Sequence, residues 1–173
     1  MKSFSYLKQI SRSRSAWALL LLSALLLEAI ALYFQYGMGL EPCIMCIYQR
    51  NAVFGIALAA MIGLSMPDKI LIRWIAIIGW GISSIWGLLI AIEHVEIQTA
   101  ANPFFASCEI VPNFPGWLPL HEWMPAIFAA TGDCGNIDWS FFGMSMPQWM
   151  IITFAVYSLI WLSVLLSQFK KTR

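Results

Sequence analysis

Four long apolar segments determine what this chain folds into. They cover residues 16–36, 43–64, 70–92 and 148–169, approximately. Each has about the 20 residues that a helix needs to cross the ~30 Å hydrocarbon core of a bilayer. Segments this long and uniform are typical of helices and not of barrel strands, because lipid offers the backbone no hydrogen-bond partner. A content of 60% hydrophobic and 11% charged residues also excludes a soluble globular chain. The sequence predicts an all-α membrane protein whose single domain, residues 1–173, is a four-transmembrane-helix antiparallel bundle in the lipid bilayer.

The basic residues are concentrated on one side of this bundle. Nine of the ten lie before the first segment, around the second connection and after the fourth segment: Lys2, Lys8, Arg12, Arg14, Lys69, Arg73, Lys170, Lys171 and Arg173. The other connections, residues 37–42 and 93–147, contain no Lys or Arg. By the positive-inside rule both termini are cytoplasmic and these two loops face outward. Because the basic residues are divided among three segments, the sequence gives no support for nucleic acid binding.

The first segment has a competing interpretation as a cleaved signal peptide. Basic residues precede it, and Ala29-Ile30-Ala31 is similar to a cleavage site. The run is too long for a typical signal peptide, however, and Glu28 interrupts it just before that site. We therefore predict that it is retained as a transmembrane span.

All four cysteines fall on the outward side. Cys43 and Cys46 open the second segment, and Cys108 and Cys134 lie in the long loop. An even number of cysteines in an oxidising compartment indicates disulfide chemistry. Three pairings are possible, and the economical one joins Cys43 to Cys46 and Cys108 to Cys134. Two alternatives stay open: a pair of structural disulfides, and a four-cysteine zinc site, although the loop pair lacks the short spacing of a zinc knuckle.

The position of the first pair favours redox chemistry. Pro42 suits the first position of a helix, so Cys43 and Cys46 are expected in the opening turn, where unpaired N–H groups and the helix dipole favour a thiolate. Arg50 follows on the same helix face, about 6 Å deeper than Cys46. A charge in the hydrocarbon costs roughly 2.5–3.5 kcal/mol, so we expect Arg50 to stabilise a thiolate or to bind a carbonyl oxygen of a lipid-soluble ligand. Alternatively, its side chain extends to the headgroups.

The long loop has two parts. Cys108 lies in a turn-rich, aperiodic part that we expect to be extended and mobile, and suited to lie in another protein's groove as a peptide does. Residues 116–134 are rich in Trp but interrupted by Pro119 and Pro125, which predicts a short surface helix at the membrane interface. Such a helix would keep Cys134 close to the first cysteine pair.

Three further polar residues are candidates for the site. His94, just past the end of the third segment, is a candidate ligand contact near Arg50, but a histidine there would also interact favourably with the helix dipole. Glu28 is either near the outer interface or a buried hydrogen-bonding partner, and the sequence does not decide. Gln49 is expected to join helices by hydrogen bonding.

Together these motifs resemble the disulfide bond formation protein B (DsbB) family. The resemblance rests on Pro42-Cys43-x-x-Cys46-x-x-x-Arg50 at the second span, a cysteine after Pro-Phe in the outer loop, and Gly-Asp-Cys134 after a Trp-rich stretch. It covers nearly the whole chain. The residues between the first two cysteines are Ile-Met, whereas the family often has leucine second. Because this dipeptide can tune the stability of the thiols, the redox potential of the pair stays open, but its redox role does not depend on the dipeptide.

The resemblance implies an enzyme of the bacterial inner membrane with periplasmic redox loops. Such an enzyme reoxidises a periplasmic thioredoxin-like oxidase of the DsbA type and passes the electrons to ubiquinone, or to menaquinone, supporting disulfide formation in exported proteins. By this resemblance Cys108 receives the partner's thiolate and Cys134 is its bonded companion. Cys43 exchanges with the loop pair, and Cys46 faces the quinone beside Arg50.

Two other functions are alternatives. One is an enzyme like vitamin K epoxide reductase, in which the quinone-side Cys-x-x-Cys comes late in the bundle, whereas here it comes first. The other is a membrane scaffold with two structural disulfides, which would need no quinone and no thiol partner.

Overall fold

Four long helices dominate the fold. The computed structural model describes residues 7–100 and 112–169. From Arg14 onward, the helices of the described residues are α1 (Arg14–Leu32), α2 (Ile44–Ser65), α3 (Ile70–Thr99), α4 (Leu120–Trp123), α5 (Pro125–Phe128) and α6 (Met146–Gln168). A π-helical turn, Tyr33–Gly37, extends α1. A two-residue strand, β1 (Ser140–Phe141), pairs antiparallel with β2 (Met144–Ser145) just before α6.

Within the described residues, α1 with its π-helical turn, α2, α3 and α6 are long and apolar enough to cross a membrane. The predicted fold class is confirmed: the chain is a multi-pass, four-helix membrane protein with short helices in its long loop.

The long helices run antiparallel, which gives the bundle two distinct ends. Lys8 Nζ donates to the Gln168 carbonyl at 3.3 Å, so the start of α1 and the end of α6 lie together. We call this the tail end, and the opposite end, covered by residues 112–145, the loop end. At the loop end the N–H groups of Thr131 and Gly132 donate to the Pro42 carbonyl at 3.0 and 3.1 Å. These hydrogen bonds attach the long loop to the start of α2.

Small residues let the helices approach closely. On the buried face of α2 they are Ala52, Ala57, Ala59, Ala60 and Gly63. A Cβ added at Gly63 would overlap the Trp17 ring, and one added at Gly87 would overlap the Phe154 ring. The helices pack in the order α1, α2, α3, α6, and the remaining pair, α1 and α6, meets less closely.

Two of the differences between the predicted and observed helix boundaries bear on the site. Helix α3 continues to Thr99, whereas the predicted segment ended at residue 92, so His94 lies inside the helix and not past its end. Helix α2 begins at Ile44, and Cys43 is its N-cap because the Cys43 sulfur accepts the N–H of Cys46 at 3.3 Å. Pro42 therefore precedes the cap and is not the first helical residue.

The surface helix is two short helices, not one. Helix α4 ends at Trp123, and Met124 has a φ of −135° and a ψ of 63° before α5 begins. The residue before a proline is disfavoured in the helical conformation, so Pro125 accounts for the break. Tyr36 and Gln35 both donate to the Ala126 carbonyl, which fixes α5 against the end of α1.

Candidate active site

The first cysteine pair lies at the N-terminus of α2. Cys43 is buried, Cys46 is half-buried, and both are free thiols with their sulfur atoms 2.8 Å apart. The hydrogen bond to Cys46, together with burial, raises the pKa of the Cys43 thiol, which precedes the membrane-spanning helix. The sequence predicts a thiolate in this opening turn without assigning it to either cysteine, and the raised pKa of Cys43 does not favour it there. The proton shared by the two sulfurs is therefore favoured on Cys43.

His94 connects Cys43 to α3. Its Nε2 lies 3.5 Å from the Cys43 sulfur, and its Nδ1 lies 3.1 Å from the Gln49 amide nitrogen. An amide nitrogen only donates, so Nδ1 is the acceptor and the hydrogen of the neutral ring is on Nε2. The ring also hydrogen bonds with the backbone of Cys134. His94 is thus buried between Cys43 and Cys134, inside the helix and not beyond its end.

Cys134 packs directly against the first pair. It is buried, and it contacts the cluster formed by Cys43 and Ile44. The sulfur atoms of Cys43 and Cys134 and a ring nitrogen of His94 all lie within 4.8 Å of one another. The loop is held in this position by Gly132, where a Cβ would overlap the Glu41 backbone.

The oxidation state of the cysteines distinguishes the two pairs. Cys134 is disulfide-bonded, while Cys43 and Cys46 are not. Cys108, its predicted companion, lies in residues 101–111, outside the described residues, so that pairing and the role of Cys108 stay predictions. A disulfide sulfur is not a thiolate ligand, so the group of Cys43, His94 and Cys134 is better suited to disulfide exchange than to binding zinc.

Arg50 is buried below the cysteines. It donates to the side-chain oxygen of Gln35 at 3.0 Å and to the Ile127 carbonyl. It also interacts electrostatically with Cys46. With 6% of its surface exposed, the side chain is enclosed by protein, which does not favour the alternative that it extends to the headgroups. Arg50 therefore fixes α5 over the site and places a positive charge near Cys46.

Glu28 is the ionic partner of Arg50. Its carboxyl Oε2 lies 3.5 Å from Nε of Arg50, close enough for an ion pair when Glu28 is ionised. That oxygen is buried and makes no hydrogen bond among the described residues. The sequence left open whether Glu28 lies near the outer interface or is buried. The structure places it in a buried position inside the bundle.

A cavity of about 390 Å³ opens beside these groups, between α1, α2 and α6. Its walls are mainly apolar, and its polar or reactive lining includes Glu28, Gln35, Cys46, Gln49, Arg50 and His94. A volume near 400 Å³ and a few convergent polar groups are typical of small-molecule sites. A smaller hollow of about 60 Å³ is lined by Cys43, Cys46 and His94. Cys46 lines both, so it connects the cysteine cluster with the larger cavity.

Some of these residues were not found by sequence reasoning. Gln35 was not singled out, and Gln49 was interpreted only as a contact between helices. Glu28 and Gln35 stand seven residues apart, which places them on one helix face, and this spacing is a signal that could have grouped them. The Ile127 carbonyl that Arg50 contacts carries no sequence signal at all.

Comparison with known proteins decides the family. A family model described as "Disulfide bond formation protein DsbB" matches residues 13–164. The chain belongs to the DsbB family. A relative from Pseudoalteromonas atlantica, "Disulfide bond formation protein B", is 62% identical over 95% of this chain and 95% of its own. Relatives of that name from Psychromonas ingrahamii and Vibrio parahaemolyticus are 52% and 50% identical, covering 96% and 90% of this chain and 90% and 86% of theirs.

DsbB membership agrees with the architecture and with the site. The predicted resemblance is confirmed, and the chain is a membrane protein of disulfide bond formation with a disulfide oxidoreductase role. Cys43, Cys46 and Cys134 lie at the loop end of the four long helices, beside the larger cavity.

Proposed function

We propose that the protein is a quinone-dependent thiol oxidase of the bacterial inner membrane. It reoxidises a periplasmic thioredoxin-like oxidase of the DsbA type and passes the electrons through two cysteine pairs to ubiquinone, or to menaquinone. Its loop end faces the periplasm and both termini are cytoplasmic, because the basic residues are concentrated at the tail end.

One observation carries this proposal. The Cys134 sulfur lies within 4.8 Å of the Cys43 sulfur, while Cys46 lines a large apolar cavity. Thiol–disulfide exchange needs direct approach of two sulfur atoms, and a lipid-soluble acceptor needs an apolar site. Cys43 therefore lies beside a sulfur with which it can exchange, and Cys46 of the same Cys-x-x-Cys motif lies beside an apolar site for the acceptor.

The first exchange brings electrons from the partner to the loop pair. A thiolate of the partner attacks Cys108, forming a mixed disulfide, and the Cys108–Cys134 bond breaks to release Cys134 as a thiolate. The Cys134 thiolate then attacks Cys43 in its disulfide with Cys46. A Cys43–Cys134 bond forms, and Cys46 leaves as a thiolate.

The second exchange completes the transfer. The partner's other thiol attacks its mixed disulfide, which oxidises the partner and releases Cys108. Cys108 attacks Cys134, the Cys108–Cys134 bond re-forms, and Cys43 is released. The loop pair is then oxidised and Cys43 and Cys46 carry the two electrons. A disulfide-bonded Cys134 beside free Cys43 and Cys46 corresponds to this stage.

The residues around the larger cavity fit a quinone. A bound quinone supplies an acceptor for two electrons and two protons. Arg50 would donate hydrogen bonds to a carbonyl oxygen, Cys46 would face the ring, and the apolar walls would exclude water. The orphaned Oε2 of Glu28 is a further polar atom on the same lining.

A direct test is anaerobic quinone reduction by the purified protein. With ubiquinone and a reduced thioredoxin-like partner, we expect the quinone absorbance to fall. Cys46→Ser should reduce the rate to that without protein, because no thiol then faces the cavity. Met45→Leu, a neighbouring substitution that keeps the sulfur atoms of Cys43 and Cys46, should react like the wild type. Quinone consumption by Cys46→Ser at the wild-type rate would refute the proposal.

The alternatives have less support. A scaffold with two structural disulfides would keep Cys43 and Cys46 bonded, whereas both are free thiols. An enzyme like vitamin K epoxide reductase would carry its quinone-side pair late in the bundle, whereas Cys43 and Cys46 open the second long helix.

A further inference from the structure

We propose that Glu28 is a proton donor to the quinone, protonating the oxygen on its side of the cavity during reduction. This inference rests on the proposed function, because it concerns the acceptor of the same reaction. It gives Glu28 a role beyond that of a counter-ion for Arg50.

The first argument is the position of Glu28. It is 6% exposed, it stands in the membrane-spanning helix α1, and it lines the same cavity as Cys46. A carboxyl group inside a membrane span is costly and marks a functional site by default. A proton donor to a ligand in this cavity must line it, and Glu28 does.

The second argument is the incomplete pairing of Glu28. Charge-assisted hydrogen bonds between nitrogen and a carboxylate oxygen measure about 2.7–2.9 Å. The separation between Nε of Arg50 and Oε2 of Glu28 is 3.5 Å, and the hydrogen bonds that Arg50 makes to Gln35 and Ile127 both come from Nη1 and not from Nε. An oxygen so placed has a free site for a ligand atom, whereas a carboxylate that only neutralised Arg50 would be expected to pair closely.

The protons balance without a further reactant. Oxidation of a Cys43 thiol and a Cys46 thiolate forms one S–S bond and releases two electrons and one proton. The quinone takes up the two electrons and two protons, one from Cys43 and the other from Glu28. Glu28 in its acid form gives up one proton and becomes a carboxylate, which the guanidinium of Arg50 stabilises. It regains a proton from water at the loop end.

Other charged or titratable groups line the cavity beside Glu28 or interact with Arg50. From α2, α3 and the residues between the first two long helices they are Cys46, Arg50, His94, Tyr36 and Glu41. The cavity lining from α6 consists of Met146, Pro147, Trp149, Met150 and Thr153, none of them ionisable. Glu28 and Glu41 are therefore the carboxyl groups of the lining, and Glu41 is the exposed one.

The test compares Glu28→Gln with Glu96→Gln. Both remove one carboxyl group, but Glu28 lines the cavity, whereas Glu96 is an exposed residue of α3 outside the lining. General acid catalysis typically contributes 10²–10⁴-fold, so we expect Glu28→Gln to lower kcat at least about tenfold and to alter the pH profile of quinone reduction. The KM for quinone should change little, and Glu96→Gln should match the wild type.

Infrared difference spectroscopy gives a readout other than activity. On electrochemical reduction of the quinone-loaded wild type, the carbonyl band of a protonated carboxylic acid should change intensity. Labelling glutamate with ¹³C should shift that band, Glu96→Gln should keep it and Glu28→Gln should lack it. The wild-type spectrum decides the matter even where Glu28→Gln fails to fold.

The outcomes separate this inference from the function on which it rests. A wild type that does not reduce quinone refutes the proposed function. A wild type that reduces quinone without any change in a glutamate band overturns the role of Glu28 alone. The same conclusion follows when Glu28→Gln keeps the wild-type rate and pH profile, which would make Glu28 a counter-ion of Arg50 only.

Discussion

At the scale of the residue, the site depends on how buried charges are partnered. Arg50 has three partners around the cavity: Glu28, Gln35 and the Ile127 carbonyl. Arg73, also buried, donates to the Pro67 carbonyl at 2.9 Å near the tail end. Burial alone therefore does not distinguish a functional arginine from a structural one. What distinguishes Arg50 is the cavity that it lines together with a cysteine.

This difference predicts distinct effects of two matched substitutions. Arg50→Gln should raise the KM for quinone about ten- to hundredfold, because a hydrogen bond to a charged group contributes roughly 1.5–3 kcal/mol. Arg73→Gln should leave that KM unchanged, since its guanidinium lies at the other end of the bundle. Steady-state quinone reduction at varied quinone concentration measures both. Equal KM values for Arg50→Gln and the wild type would remove Arg50 from the binding site.

At the scale of the element, the sequence located the helices well and their ends less well. Hydropathy predicted the spans, but α3 continues beyond residue 92 through a polar stretch that hydropathy does not assign to a membrane. Tertiary contacts stabilise this extension: Gln98 donates to the Asn136 carbonyl at 3.3 Å and accepts from Ser145 at 2.9 Å. Because these partners come from a distant loop, the end of the helix could not be derived locally.

The packing of α3 yields a test at this same scale. Gly87→Ala should destabilise the bundle by about 1–3 kcal/mol, because its Cβ would overlap the Phe154 ring of α6. Gly79→Ala on the same helix is the control, since its Cβ would meet that of Ala59 at an ordinary 3.5 Å. Thermal unfolding in detergent should show a lower midpoint for the first variant only. A midpoint for Gly87→Ala at or above that of Gly79→Ala would contradict the packing.

At the scale of the whole molecule, the fold brings together groups that are remote in sequence. The motif residues Cys43, Cys46 and Arg50 were predicted because their spacing on one helix is visible in the chain. The approach of Cys134 and the pairing of Glu28 with Arg50 were not predictable in detail, because they depend on how the loop and α1 pack against α2. The same packing leaves a cavity beside α1 and α6, where these helices meet less closely.

The central claim is that the two cysteine pairs exchange through Cys43 and Cys134. The most direct measurement uses the double variant Cys46→Ala/Cys108→Ala, which keeps only these two thiols, with Cys43→Ala/Cys108→Ala as its matched control. After mild oxidation with diamide, mass spectrometry of the unreduced, proteolysed protein should find an intramolecular Cys43–Cys134 bridge in the first variant, formed faster than any bridge in the control. Recovery of Cys43 and Cys134 as free thiols in the folded protein, or bridging no faster than in the control, would contradict the account.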